Sequence, residues 1–190
     1  SDLDIVFVYG EDGTTDGDRQ EGNLQFFVAV AQGVTTALSE VTASGFLYQV
    51  DARLRPEGNS ALMALSYEEY DRYLEKRAAT WERFALSRAR VVAGDSSLGA
   101  RTLARFESFV LGDGLDARAR TTMVDIRGRM EKKEGADVLS IKTGVGGIVD
   151  VEFIVQGLQV SYAKDNPGLR TPNTRSGLIK LRDAGLIEAE

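Results

Sequence analysis

Apolar positions in the first third of the chain fall in short runs divided by polar turns. Residues 3–9 (LDIVFVY) are β-branched and aromatic and predict a buried strand. Residues 10–22 (GEDGTTDGDRQEG) are polar and acidic and predict a surface loop. Residues 24–43 predict a long helix ending near Gly45, and residues 46–53 (FLYQVDAR) a second strand, broken by Pro56 and Gly58. Residues 61–65 predict a third strand, because Ser66 then N-caps a helix opening YEEY, with Glu69 in the capping-box position. The order β-α-β-β, with a helix crossing between neighbouring strands, is an α+β pattern and predicts a small mixed sheet.

Beyond residue 66 the spacing becomes helical. Tyr67, Tyr70 and Leu74 share a stripe, as do Trp81, Phe84, Ala85 and Val92 in the next segment. Leu103, Phe106 and Val110 form a third, and Met123, Ile126 and Met130 a fourth. Ile148, Val151, Val155, Leu158 and Tyr162 make the longest, ended by Asn166-Pro167-Gly168, and a last helix is expected over 174–183. These stripes read as core. The expected organisation is an α+β part over 1–95 and a helical part over 96–190.

Composition narrows the chemistry. The 190 residues include no His and no Cys. That excludes disulfides, thiolate or imidazole zinc sites, and Ser-His-Asp or Cys-His nucleophiles. Any metal must take oxygen ligands, which points to Mg²⁺ or Mn²⁺. The net charge of −6 argues against a nucleic-acid binder. Residues 1–50 hold eight acids and one base, Arg19, so the acidity is concentrated there. No apolar run is long enough to span a bilayer, and a cytoplasmic protein is expected. The chain opens on Ser1 inside an apolar motif, as an excised piece of a longer protein would.

Candidate chemistry lies on the strands. Asp2 and Asp4 are i and i+2, so they share one face of the first strand while Leu3 enters the core. Two carboxylates about 4 Å apart repel by roughly 4 kcal/mol at an effective dielectric of about 20. A proton, a basic group or a divalent cation must offset that. On the second strand Asp51, Arg53 and Arg55 alternate with apolar residues, presenting a carboxylate and two guanidinium groups on one face. If the strands are neighbours, Asp51 joins Asp2 and Asp4 in a metal site, with Arg53 and Arg55 suited to phosphate oxygens. The alternative is a surface salt-bridge cluster in which the arginines neutralise the aspartates.

A third element is the glycine-rich turn SIKTGVGGI at 140–148, which leads into the longest helix and carries Lys142. Amides at a helix N-terminus favour anions, although the order of residues is not that of a Walker A loop. On the following helix Glu152, Gln156 and Gln159 form a polar stripe, with Asp150 on another side.

In this order, SDLDIVFVY, VDARLRPEGNSALM, ATWERFALSRARVVAGD and IKTGVGGIVDVEFIVQ resemble the catalytic halves of the glutamine synthetase adenylyltransferase family, within the polymerase-β-like nucleotidyltransferases. The resemblance covers nearly the whole chain. It implies a nucleotidyltransferase-type sheet and a two-metal transfer of AMP from ATP to a tyrosine hydroxyl of glutamine synthetase. It implies Asp2, Asp4 and Asp51 as catalytic metal ligands, with Asp51 also the candidate base. Ser1 is implied as the serine preceding the pair, and a PII-type signalling protein as a partner of the full-length parent; Arg53, Arg55, Lys142, Gly146, Gly147 and Glu152 complete the expected nucleotide and phosphate site. Two departures stand out: the Gly-Gly helix that precedes the first strand in the family is missing, and Ser140 stands where the family often has Asp. The runs GGIVDVEF, IRGRME and YAKDNP resemble the adenylylating half more than the half that removes AMP by phosphorolysis. A non-catalytic nucleotide-sensing or docking domain is the other reading.

Overall fold

The computed structural model describes residues 3–43, 45–58, 62–112, 114–133 and 140–188. The chain divides into two compact units, one of residues 1–78 with 94–102 and one of residues 79–93 with 103–190. The architecture is α+β, as expected.

In the first unit the expected 3–9 strand forms two short strands, β1 (Leu3–Asp4) and β2 (Phe7–Tyr9). A polar loop follows, and then α1 (Asn23–Ser39), β3 (Val50–Asp51) and β4 (Ala64–Ser66). β1 pairs in parallel with β3, and β2 pairs in parallel with β4. In place of one mixed sheet, the described strands form two separate parallel pairs, the antiparallel contacts being the isolated bridges Thr14–Gly22 and Thr42–Gly45. Parallel pairing needs a crossover, which α1 supplies for β1 to β3. The core joins Tyr9, Ala31 and Ala64 with Phe7, Leu24, Phe27, Val28 and Met63 around them. Tyr9 stacks on Phe27 with ring centroids 5.0 Å apart, and its hydroxyl donates to Asp12 at 2.6 Å. Burial, with Asp12 beside it, pushes that hydroxyl up to about 12.

Two elements end earlier than the apolar pattern predicts. α1 stops at Ser39 because Glu40 turns extended and Thr42 closes a tight turn with Gly45, whose φ is +94°. The second strand shrinks from 46–53 to Val50–Asp51 because Arg53 folds back onto Asp51, and Phe46, Leu47 and Tyr48 are exposed. α2 (Tyr67–Lys76) begins as expected, with Ser66 Oγ accepting the Glu69 N–H at 3.3 Å. The Glu69 carboxylate turns outward to pair with Arg72.

The second unit is helical: α3 (Thr80–Leu86), most of α4 (Ser96–Leu111), α5 (Ala117–Lys133), α6 (Ile148–Tyr162) and α7 (Thr174–Asp183). The segment 97–133 is helical on both sides of its break, as the periodicity predicts. α6 and α7 enclose a core of Val155, Ala163, Leu169 and Leu181. They approach closely at Gly177, where a Cβ would lie 2.6 Å from Val155 Cγ1. Gln159, buried within α6, donates to the carbonyls of Leu169 (2.8 Å) and Thr171 (3.1 Å), pinning the chain that leads to α7. Arg83 donates to the carbonyls of Val110 and Gly114, capping the end of α4.

Some stripes reach the core to their last member, as at Leu74 and Val110, while others do not. Trp81, Met130, Ile148 and Tyr162 sit in first or last helical turns and are exposed. Val92 lies past the end of α3 and is 72% exposed.

Candidate active site

β1 and β3 place two of the expected carboxylates together. In their register Leu3 lies opposite Val50 and Asp4 opposite Asp51. Paired residues of parallel strands project to the same face, and neighbouring strands lie about 4.8 Å apart. The Leu3 N–H donates to Gln49 O at 2.7 Å and the Ile5 N–H to Asp51 O at 3.0 Å, which fixes that register. Ser1 and Asp2, expected beside Asp4, lie outside the described residues.

Asp51 is the better defined of the pair. Its side chain is 16% exposed and receives Arg53 from three directions. The Arg53 backbone N–H donates to Oδ1 at 2.8 Å, Nε donates to Oδ1 (2.8 Å) and Oδ2 (2.7 Å), and Nη2 also reaches Oδ2. Hydrogen bonding to the guanidinium, with the backbone N–H and Arg55 adding to it, holds the Asp51 carboxyl below the usual Asp value against the opposing effect of burial. Arg53 and Arg55 therefore do not alternate along a strand, as the sequence suggested. They follow Asp51 in a turn, with Arg55 Nη1 donating to Ala52 O at 2.6 Å. Asp51, Arg53 and Arg55 line a cavity of about 460 Å³ together with Ser39 and Gln49.

The donor set suits a hard cation. Both described acids offer oxygen only, they are held side by side by the register, and the cationic group seated on Asp51 shows that this carboxylate draws positive charge.

The glycine-rich loop belongs to the second unit, and there the amides offered to an anion are already used. The Gly146 N–H donates to Asp150 Oδ2 at 2.7 Å and the Gly147 N–H to Gly144 O at 2.9 Å. The first α6 amides, of Ile148, Val149 and Asp150, donate to Ile141 O, Lys142 O and Gly147 O, each at 3.0 Å. Lys142 is exposed, and its carbonyl takes part in this closure. Ser140 Oγ lies 2.7 Å from Thr143 Oγ1 and accepts the Thr143 N–H, so the loop is tied at both ends.

Glu152 pairs with Arg88 at 2.7 Å, and Arg88 also donates to Pro172 O, which fastens α6 to the chain before α7. Sequence reading assigned no role to Arg127, a residue of α5 whose side chain is only 12% exposed. It pairs with Asp150 and donates to the carbonyls of Thr143 (2.9 Å) and Gly144 (3.1 Å). This bonding draws the Asp150 carboxyl below its usual value. An acid in the first turn of α6 was visible in the sequence as a helix-start signal. Its partner, more than twenty positions away on another helix, was not.

The fold is thus an α+β chain carrying a carboxylate pair on parallel strands. A family model described as glutamate-ammonia ligase adenylyltransferase matches residues 1–105. The chain belongs to this family. It is 36% identical over 192 residues to a bifunctional glutamine synthetase adenylyltransferase/adenylyl-removing enzyme of Thioalkalivibrio sulfidiphilus, covering 98% of this chain and 20% of the relative. Relatives with that same description in Neisseria meningitidis serogroup A and Methylococcus capsulatus are 38% and 39% identical, covering 100% and 99% of this chain and 21% of each relative. The chain spans about a fifth of the length of these relatives. Among the described residues no helix is long and apolar enough to cross a membrane.

Proposed function

We propose that this chain carries the adenylylating site of a glutamine synthetase adenylyltransferase, in which a tyrosine hydroxyl of glutamine synthetase attacks the α-phosphorus of ATP, takes the AMP and releases pyrophosphate. The observation that carries this reading is the side-by-side placement of Asp4 and Asp51 in strand register. Asp2, Asp4 and Asp51 would hold Mg²⁺ or Mn²⁺. When bound there, a divalent cation would supply positive charge to the phosphates and lower the pKa of the attacking hydroxyl. Asp51 receives the hydroxyl proton, a task a carboxylate performs without histidine. Arg55 faces the same cavity and offers its guanidinium to phosphate oxygens. Glutamine synthetase enters through the descriptions of the relatives, and a PII-type regulator remains a proposed partner of the longer protein.

The test uses the native protein that carries this sequence. Transfer of label from α-labelled ATP to glutamine synthetase, dependent on Mg²⁺ and abolished by Asp4→Asn and by Asp51→Asn, supports the reading. Persistence of transfer in both variants overturns it. The relatives carry both activities in their description, so the removing reaction is measured alongside. Release of ADP from adenylylated glutamine synthetase and phosphate, lost in the same variants while transfer survives, would assign this site to removal instead.

A further inference from the structure

We propose that Arg53 is a built-in competitor for the cation: it pairs with the Asp51 carboxylate and must leave for a divalent ion to bind there. The inference rests on the reading of Asp51 as a metal ligand. Both Asp51 oxygens accept from the guanidinium, with Nε at 2.8 Å from Oδ1 and 2.7 Å from Oδ2. Those are the lone pairs a hard cation needs, and guanidinium and ion cannot share them at coordination distance without facing charges of like sign.

Three features make the exchange a side-chain movement rather than a rearrangement of the fold. The Arg53 side chain is 69% exposed while that of Asp51 is 16% exposed, so the cation moves and the carboxylate stays. The Arg53 backbone N–H holds Oδ1 at 2.8 Å by a bond independent of the guanidinium, which keeps the carboxylate aimed while its counter-ion changes. The cavity of about 460 Å³ beside them is lined by Arg53 itself, so the displaced guanidinium has a place to go, next to Arg55. A phosphate-bearing ligand in that cavity would receive it.

The arrangement also accounts for how the strand pair tolerates Asp4 opposite Asp51. With Arg53 on Asp51 the charge of the pair is partly neutralised, and an incoming ion replaces one neutralising group by another. The cost is metal affinity.

Direct Mn²⁺ binding, followed by electron paramagnetic resonance without nucleotide on the native protein that carries this sequence, tests this. Arg53→Gln should bind Mn²⁺ about fivefold tighter than wild type, the fold-change that corresponds to losing one exposed ion pair. Arg53→Lys, which keeps the charge without the fork, should fall between the two. Asp51→Asn should lose the same Mn²⁺. If Asp51→Asn loses the ion while Arg53→Gln binds no tighter than wild type, the counter-ion role is overturned and the metal reading stands. If Asp51→Asn binds Mn²⁺ as wild type does, both are overturned.

Discussion

Asp4 and Asp51 are paired residues of two parallel strands, so the register that builds the sheet also forces their carboxylates onto one face. Such a pair opposes folding, and Arg53 on Asp51 offsets part of that opposition. Asp4 is an exposed member of that pair. Asp4→Asn should therefore leave the fold intact, with circular dichroism unchanged, while AMP transfer to glutamine synthetase falls to background. Retained transfer with an intact fold would remove Asp4 from the site.

Arg127 ties α5 to the glycine loop and to α6 through Asp150 and two carbonyls, with its side chain 12% exposed. Truncating it leaves the Asp150 carboxylate without its guanidinium and two carbonyls short of a donor. Arg127→Ala should destabilise the protein by about 3 kcal/mol, read from the shift in urea midpoint. A change below about 0.5 kcal/mol would mean that the loop closes without it.

The same pair has a pH signature. Asp150 sits below its ordinary value of 3.8 in the folded protein, so the folded state takes up its proton less readily than the unfolded chain. Its stabilisation is full above that value and is lost as pH falls through the lowered folded one. As pH falls below about 4, the ordinary carboxylate range, wild type should lose stability more steeply than Asp150→Asn. Equal slopes in urea titrations would show that this carboxylate is not linked to folding.

These contrasts bear on what the chain itself discloses. Ser66 and Glu69 announced the start of α2, and the window 174–183 matches α7, because caps and periodicity act between near neighbours. The pairing of Asp4 with Asp51 followed once the two strands were taken as adjacent. What misled was the assumption that alternation continues past Asp51. A side chain that accepts the backbone N–H two residues on converts a strand into a turn, and the apolar pattern does not register that. The internal closure of the glycine loop was hidden for a different reason. Its amides looked open because Asp150 and Arg127 come together only in the folded unit.

That loop gives the last prediction. A Cβ at Gly147 would lie 2.8 Å from the carbonyl oxygens of Gly144 and Ile141 and 3.0 Å from that of Lys142. All three are backbone atoms, and two of them accept the amides that start α6. No side-chain rotation relieves the clash, so the loop itself must open. Gly147→Ala should cost roughly 1–3 kcal/mol of stability, the range of an overpacked interior site. Val145 is in the same loop but 84% exposed, and Val145→Ala should be neutral within about 0.5 kcal/mol. Thermal unfolding of the two variants separates a glycine required by backbone closure from one kept for a ligand. If Gly147→Ala unfolds with wild type but loses nucleotide affinity by calorimetry, the loop serves phosphate. If it unfolds early and Val145→Ala does not, the glycine is there to let the chain turn back on its own carbonyls at the start of α6.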